Sequence, residues 1–358
     1  MGLRFPRDLE AWRSWQARRQ PVTRRLRARA TRMLERSGKE RSIWVTSTPG
    51  EGDGNLIVVL DSRSPTAVHA LVAPLRHLGR PGVTVLSAAP VADLLPAAPW
   101  TARTRPLTDA VADVVDGSST VLTLGHYLPI ANTAYAVARA REARFLTVQH
   151  GLLTPLAPPL APGTSLLAWS DADAEFWTAG RDDVESAVVG SELLWQAGTP
   201  RPATAEPGPR RSSVPVYLGQ LHAAELSRSG LVASAEAFCR AEGARYRPHP
   251  AEADRRSRAT HDRWARDGVA IERDPIPLKD LEAPVVSVFS TGTLEAAARG
   301  LPAWVHYLDP PSWLEEFWDR YRLSRWGTEP TPAPTRTSAS PAEAVAAAVS
   351  GLGGMRQR

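Results

Sequence analysis

Short β-branched apolar runs recur along this chain about one helix apart, and that alternation constrains its fold more than any other feature. Runs at 43–46, 56–60, 83–86, 121–124, 145–148, 166–169 and 187–189 read as strands. Helical patterns at 66–78, 107–115, 130–142 and 171–178 fall between several of them. The runs lack a clean in–out alternation, the mark of strands covered on both faces, so the first half is predicted as a doubly wound parallel sheet. Residues 196–213 carry four prolines and no apolar period, which makes them a linker. Beyond it the alternation resumes: strands at 214–218, 244–247 and 269–272, helices at 230–242 and 254–267, then a strand–turn–helix–strand unit over 285–307. Closing helices are predicted at 313–323 and 342–349, with a Pro-, Thr- and Ser-rich connection at 328–341. At 358 residues the chain exceeds one ordinary core. The expected division is a basic leader at 1–42, an α/β domain at 43–195, the linker, and a second α/β domain at 214–358. Two Rossmann-like domains of this kind turn their strand C-terminal ends toward a shared cleft, where open α/β sheets take ligands.

The net charge of +5 conceals an asymmetry. Residues 1–42 hold thirteen Arg or Lys against four Asp or Glu, a net +9, which leaves −4 for the rest. A nucleic-acid binder spreads cationic groups over its folded surface among aromatic platforms, so no nucleic-acid partner is expected. Lys39 and Lys279 are the only lysines, and so general a bias toward arginine lowers the weight of any single Arg. Cys239 is the only cysteine, which excludes an intramolecular disulfide and any multi-cysteine zinc site and points to the cytosol. No run approaches the ~18 apolar residues of a spanning helix, and the start lacks the apolar core of a secretory signal. In the leader, Phe5, Leu9 and Trp12 and then Val22, Leu26, Ala30, Met33 and Leu34 keep helical spacing around Pro21. Two basic amphipathic helices result, which either lie on the anionic inner face of the plasma membrane or pack across the body of the fold.

Five stretches carry candidate chemistry. Ser290, Thr291, Gly292 and Thr293 form a hydroxyl-rich turn before a predicted helix at 294–299, where free N–H groups and the helix dipole favour an anion. Thr291 or Thr293 capping the helix, with Glu295 as an ordinary first-turn acid, is the alternative. Arg247, Pro248, His249 and Pro250 follow a predicted strand directly, and the two prolines fix the direction of His249. Gln149, His150 and Gly151 follow another strand, the glycine allowing a turn that exposes His150 as a candidate general base. The polar loop 50–55 offers Glu51 and Asp53 as alternative bases, and His126 marks a further strand end.

The order of these features, Q-H-G, then R-P-H-P, then S-T-G-T-L-E-A with G-L-P, resembles the B-type (GT-B) glycosyltransferases of bacterial surface polysaccharides. The sialyltransferase, polysialyltransferase and CDP-glycerol glycerophosphotransferase-like group is the nearest in pattern. The resemblance implies that His249, Ser290, Thr291 and Thr293 hold the phosphates of a CMP- or CDP-linked donor, with Arg247 and Glu295 toward the nucleotide. It implies no cofactor, no catalytic metal, and a glycan or lipid-linked acceptor. Where the sialyltransferase-like families place an acidic D/E-D/E-G element, this chain has Q-H-G, and His150 fits the glycerophosphotransferase-like pattern better. The implied function is an inverting, metal-independent transferase with His150, or Glu51 or Asp53, as base. A UDP-sugar 2-epimerase sharing an E-A-x-x-x-G-x-P-like segment, and a catalytically inactive scaffold at the membrane, are the rival readings.

Overall fold

The computed structural model describes residues 2–19, 40–49, 55–79, 82–200 and 212–351. In chain order the elements are α1 (Leu9–Arg19), β1 (Ser42–Thr48), β2 (Asn55–Leu60), α2 (Pro65–Leu71), β3 (Gly82–Ser87), β4 (Thr101–Pro106), α3 (Leu107–Val114), β5 (Thr120–Thr123), α4 (Pro129–Ala140) and β6 (Arg144–Val148). There follow β7 (Ser165–Ala168), α5 (Asp171–Thr178), β8 (Glu185–Val188), α6 (Glu192–Ala197), β9 (Val216–Leu218), α7 (Arg228–Glu242), β10 (Arg245–Arg247) and α8 (Arg255–Arg266). The last are β11 (Val285–Ser287), α9 (Thr291–Ala298), β12 (Ala303–Val305), α10 (Ser312–Arg320) and α11 (Pro341–Val349). The chain divides into two compact units, one of Gly2–Leu193 with Thr337–Arg358, the other of Leu194–Arg336.

The first unit holds an eight-stranded sheet in the order β4-β1-β3-β2-β5-β6-β7-β8. From β3 to β8 the strands run parallel, as expected for runs buried on both faces. Val58, Leu60 and Leu122 pack against α2 and α11, while Ile57, Val59 and Val121 pack against α3 and α4. Two strands depart from the parallel expectation. β1 is antiparallel to both β3 and β4. β4, Thr-Ala-Arg-Thr-Arg-Pro, shows no apolar pattern because it is an exposed edge strand, with its proline at the end where a missing N–H costs least.

The second unit holds a parallel sheet in the order β10-β9-β11-β12, its core formed by Val216, Val285, Ala303 and the apolar face of α9. The strand expected at 269–272 is reduced to a single bridge between Ile271 and Tyr246. In both sheets the winding direction reverses once, between β2 and β5 and between β9 and β11. Those reversals leave a crevice at the strand C-terminal ends.

One boundary requires correction. The domain expected over 214–358 loses its last helix, because α11 belongs to the first unit. Val345 and Ala348 enter that core beside Leu71 and Leu75. The Glu192 carboxylate accepts from Ser340 Oγ at 2.7 Å and from Ala342 N at 2.9 Å, and Arg144 donates to the carbonyls of Ala348 and Val349. Both ends of α11 are thus tied to first-unit side chains. The linker expected at 196–213 lies mainly outside the described residues.

In the leader, α1 buries Trp12 and Trp15 against the first unit. Trp12 Nε1 donates to the Leu156 carbonyl at 2.9 Å, its ring meets Tyr127 edge-on at 5.5 Å, and Arg13 donates to Asn132 at 2.9 Å. Of the two leader alternatives, this segment takes packing; the helix expected after Pro21 lies outside the described residues. Among the described residues no helix is long and apolar enough to cross a membrane.

Candidate functional site

The reversal point of the second sheet is built from a turn that cannot relax. After β9 the chain passes through Gly219, where an added Cβ would lie 2.6 Å from Tyr246 Oη and 2.7 Å from Glu252 Oε1, so only glycine fits. Gln220 is buried, and its Oε1 accepts from Val288 N and Phe289 N at 3.0 Å each, bracing the ends of β9 and β11 against one another. Leu221 N donates to Glu252 Oε1 at 2.9 Å, and its carbonyl accepts from Arg228 at 2.9 Å.

Glu252 is the hub of the turn. It is 3% exposed and takes hydrogen bonds at 2.9 Å from Tyr246 Oη and from His261 Nε2, with His222 Nδ1 at 3.9 Å. Burial alone would raise its pKa; the nearby His222 ring and the hydrogen bonds of His261 and Tyr246 outweigh that and bring it down to about 2. A fixed anion therefore sits behind the turn at any ordinary pH.

His249 is exposed at the end of the loop after β10, and its Nδ1 accepts from Ala251 N at 3.1 Å. An Nδ1 that accepts carries no proton, so the neutral ring bears its hydrogen on Nε2 and presents a donor outward. Desolvation of the ring, followed by the charge of His222, lowers its pKa to about 4. His222 and His249 stack with centroids 4.0 Å apart. His249 thus offers a phosphate a hydrogen bond without a formal charge.

The hydroxyl-rich turn is more self-contained than its composition implies. α9 starts at Thr291, three residues before the expected 294, which makes Ser290 the N-cap, its Oγ accepting from Gly292 N at 3.1 Å. Thr293 is wholly buried, and its Oγ1 bonds Ser287 Oγ at 2.7 Å, which in turn accepts from Ser290 N at 3.1 Å. Thr293 is therefore a structural pin, a correction to its expected place among the phosphate ligands. Ser290 and Thr291 remain half-exposed, and among the described residues the Thr291 N–H makes no hydrogen bond. Arg247 clamps the following segment through Glu272 at 3.7 Å and the Ile276 carbonyl. Glu295 is 9% exposed, its pKa raised by burial against the pull of Arg299 and Arg247. The structure thus gathers His249, Ser290, Thr291, Arg247 and Glu295 on one end of one sheet.

In the first unit the strand-end residues turn inward. Gln149, expected to face a ligand, is a bracket: its Oε1 accepts from Trp169 N and its carbonyl from Trp169 Nε1, both at 2.8 Å, while its Nε2 donates to Gly151 O at 3.1 Å. His126 is 5% exposed, edge-on to Tyr135 at 5.2 Å, and burial first, then Arg13 and Arg181, lower its pKa to about 4. It lies under the surface rather than at an open edge. His150 lines a shallow pocket of about 10 Å³, together with Thr66, His69, Trp169 and Ser191. Its Nδ1 is buried without a hydrogen-bond partner, and burial lowers its pKa to about 4. Glu51 and Asp53 lie outside the described residues.

Gln220, His222, Glu252 and His261 were not singled out in the sequence. The signal was present for the first two: G-Q-L-H after the strand at 214–218 repeats the pattern of a strand followed by a turn and a polar ring that marked R-P-H-P.

No protein-family model and no curated protein matches the chain. Among solved structures it is similar to a glycosyltransferase from Rickettsia africae ESF-5, at 12% identity and TM-score 0.43, over 84% of this chain and 88% of that one. It is also similar to the UDP-N-acetylglucosamine 2-epimerase from Rickettsia bellii, at 12% identity and TM-score 0.45, over 83% and 94%. A third is MurG of Acinetobacter baumannii, at 9% identity and TM-score 0.35, over 76% and 85%. Likeness at this level is distant, and the chemistry has to be read from the residues of this chain.

Proposed function

We propose that this chain is an inverting transferase that moves a sugar or polyol phosphate from a CMP- or CDP-type donor to a glycan or lipid-linked acceptor hydroxyl. The observation that carries the reading is the fixed Nε2–H tautomer of His249, on the same sheet end as Ser290 and the unpaired Thr291 N–H. These donors hold the donor phosphate and stabilise the charge that grows on it as its bond to the transferred group breaks. Arg247 and Glu295 lie toward the nucleotide. His150, kept neutral by burial, takes the acceptor proton. A base of so low a pKa does not ionise a hydroxyl beforehand; it accepts the proton as the new bond from the acceptor oxygen forms. No metal ion is given a role.

Calorimetry with CMP, CDP and UDP, followed by donor turnover, tests this. CMP or CDP is expected to bind, and His249→Ala to lower turnover by roughly a hundredfold. Binding of UDP alone moves the reading to an epimerase-like enzyme, and unchanged turnover in His249→Ala removes that histidine from the site.

A further inference from the structure

Beside His249 stands a second imidazole that has the support of a working residue. His222 is carried by the braced Gly219–Leu221 turn, is stacked on His249 at 4.0 Å, and keeps 27% of its side chain exposed. Its Nδ1 is buried without a hydrogen-bond partner and points to Glu252 Oε1, 3.9 Å away. What the ring shows to solvent therefore lies away from Nδ1. We infer that His222 is a second phosphate-contacting residue, supplying the positive charge that His249 does not, and that Glu252 is the positioning residue that orients it. The inference rests on the reading of this sheet end as a donor-phosphate site.

The two rings have separate roles because their Nδ1 atoms face opposite partners. Ala251 N–H faces the Nδ1 of His249, and a proton placed there would break that hydrogen bond. A carboxylate oxygen faces the Nδ1 of His222 at 3.9 Å, and a proton there gains an opposite charge nearby. Stacked imidazoles disfavour two charges, and of the two rings it is His222 that has a carboxylate oxygen facing its Nδ1. The groups around His222 agree with this. Glu225 follows in its own turn, Glu252 approaches from the loop after β10, and Arg228 of α7 is engaged by the Leu221 carbonyl and Ser257. Tyr246 and His261 hold the far side of Glu252, and Asp254 faces Arg228. Glu252 therefore faces His222 Nδ1 at 3.9 Å, Glu225 interacts with the ring electrostatically, and the nearby cation is turned to other partners.

The experiment is calorimetric titration of the full chain with inorganic pyrophosphate and, separately, CDP from pH 5.5 to 8.5. The wild type is compared with His222→Gln, His249→Gln and Glu252→Gln. Pyrophosphate binding is expected to weaken by roughly tenfold as pH rises through the histidine range. His222→Gln is expected to lose about tenfold at the acid end and to flatten the slope. His249→Gln is expected to weaken binding at all pH and keep the slope. Glu252→Gln flattens the slope if it folds, and the half-exposed His222→Gln carries the test if it does not. Wild-type affinity and slope in His222→Gln overturn the inference. If CDP fails to bind while pyrophosphate binds with a His222-dependent slope, the nucleotide-donor reading falls and this one stands; if neither probe binds, both fall.

Discussion

Each sheet of this protein has one carboxylate at its reversal point, and the two behave in opposite ways. Asp61, after β2, accepts from Ile130 N at 3.2 Å and Ala131 N at 3.1 Å at the start of α4, yet burial outweighs both bonds and raises its pKa. Glu252, after β10, is more deeply buried but is met by a tyrosine, two imidazoles and a backbone N–H, and its pKa falls to about 2. Both accept from backbone N–H groups, yet their pKa values move in opposite directions. Asp61 closes a helix end and serves the scaffold. Glu252 is an anion around which donors are arranged, the condition for presenting other donors to a ligand.

The largest expected effect follows from that contrast. Glu252→Ala leaves Tyr246, His261 and Leu221 N–H without their acceptor and is expected to cost roughly 3–5 kcal/mol, read by urea unfolding. The wild type also carries an acid signature. A carboxylate with a depressed folded pKa contributes stability above its unfolded pKa, near 4.5, and loses it as pH falls toward 2. The shift corresponds to on the order of 3 kcal/mol. Glu252→Gln should lack that acid loss, and an unchanged acid limb in the variant would show that the anion is not what holds the turn.

Next in size is Thr293→Val. It fits the same volume but strips Ser287 Oγ of its 2.7 Å partner in a fully buried position, at an expected cost of about 1–2 kcal/mol. Nucleotide affinity should be retained, because Thr293 supports the turn from beneath. A loss of affinity without a loss of stability would return Thr293 to the ligand set.

How much of this was legible depends on how far apart the partners lie. Turn chemistry is local, so His249 between prolines and the S-T-G-T turn could be read from a few neighbouring residues. Glu252 has no such signature: its meaning comes from Leu221, 31 residues earlier, and from His261, nine residues later. Gln220 braces residues 68 and 69 positions away. The parallel strands were legible because burial on both faces writes itself into composition, whereas β4 was not, since an exposed edge needs no apolar residue. α11 was found as a helix but assigned to the wrong unit, because an alanine-rich helix does not specify its neighbour; Glu192 and Arg144 do. Thr293 misled for the opposite reason, as a hydroxyl at a helix start looks the same whether it faces a ligand or the core.

The smallest expected effect is the sharpest test of the contrast between the two carboxylates. A group whose folded pKa is raised gives its full stability below the unfolded value, 3.8 for Asp61, and loses it as pH climbs through the folded value. At neutral pH the charge of Asp61 is therefore a burden that the helix start only partly offsets. Asp61→Asn removes the charge and keeps one carbonyl to accept from Ile130 or Ala131, so the two changes oppose one another and the net should stay within about 1 kcal/mol at pH 7. The direction with pH is the decisive observable: relative to wild type, the variant should gain between pH 4 and pH 7 in thermal melts. If it instead loses ground over that range, the dipole of α4 outweighs burial, and Asp61 is a stabilising anion like Glu252 rather than its opposite.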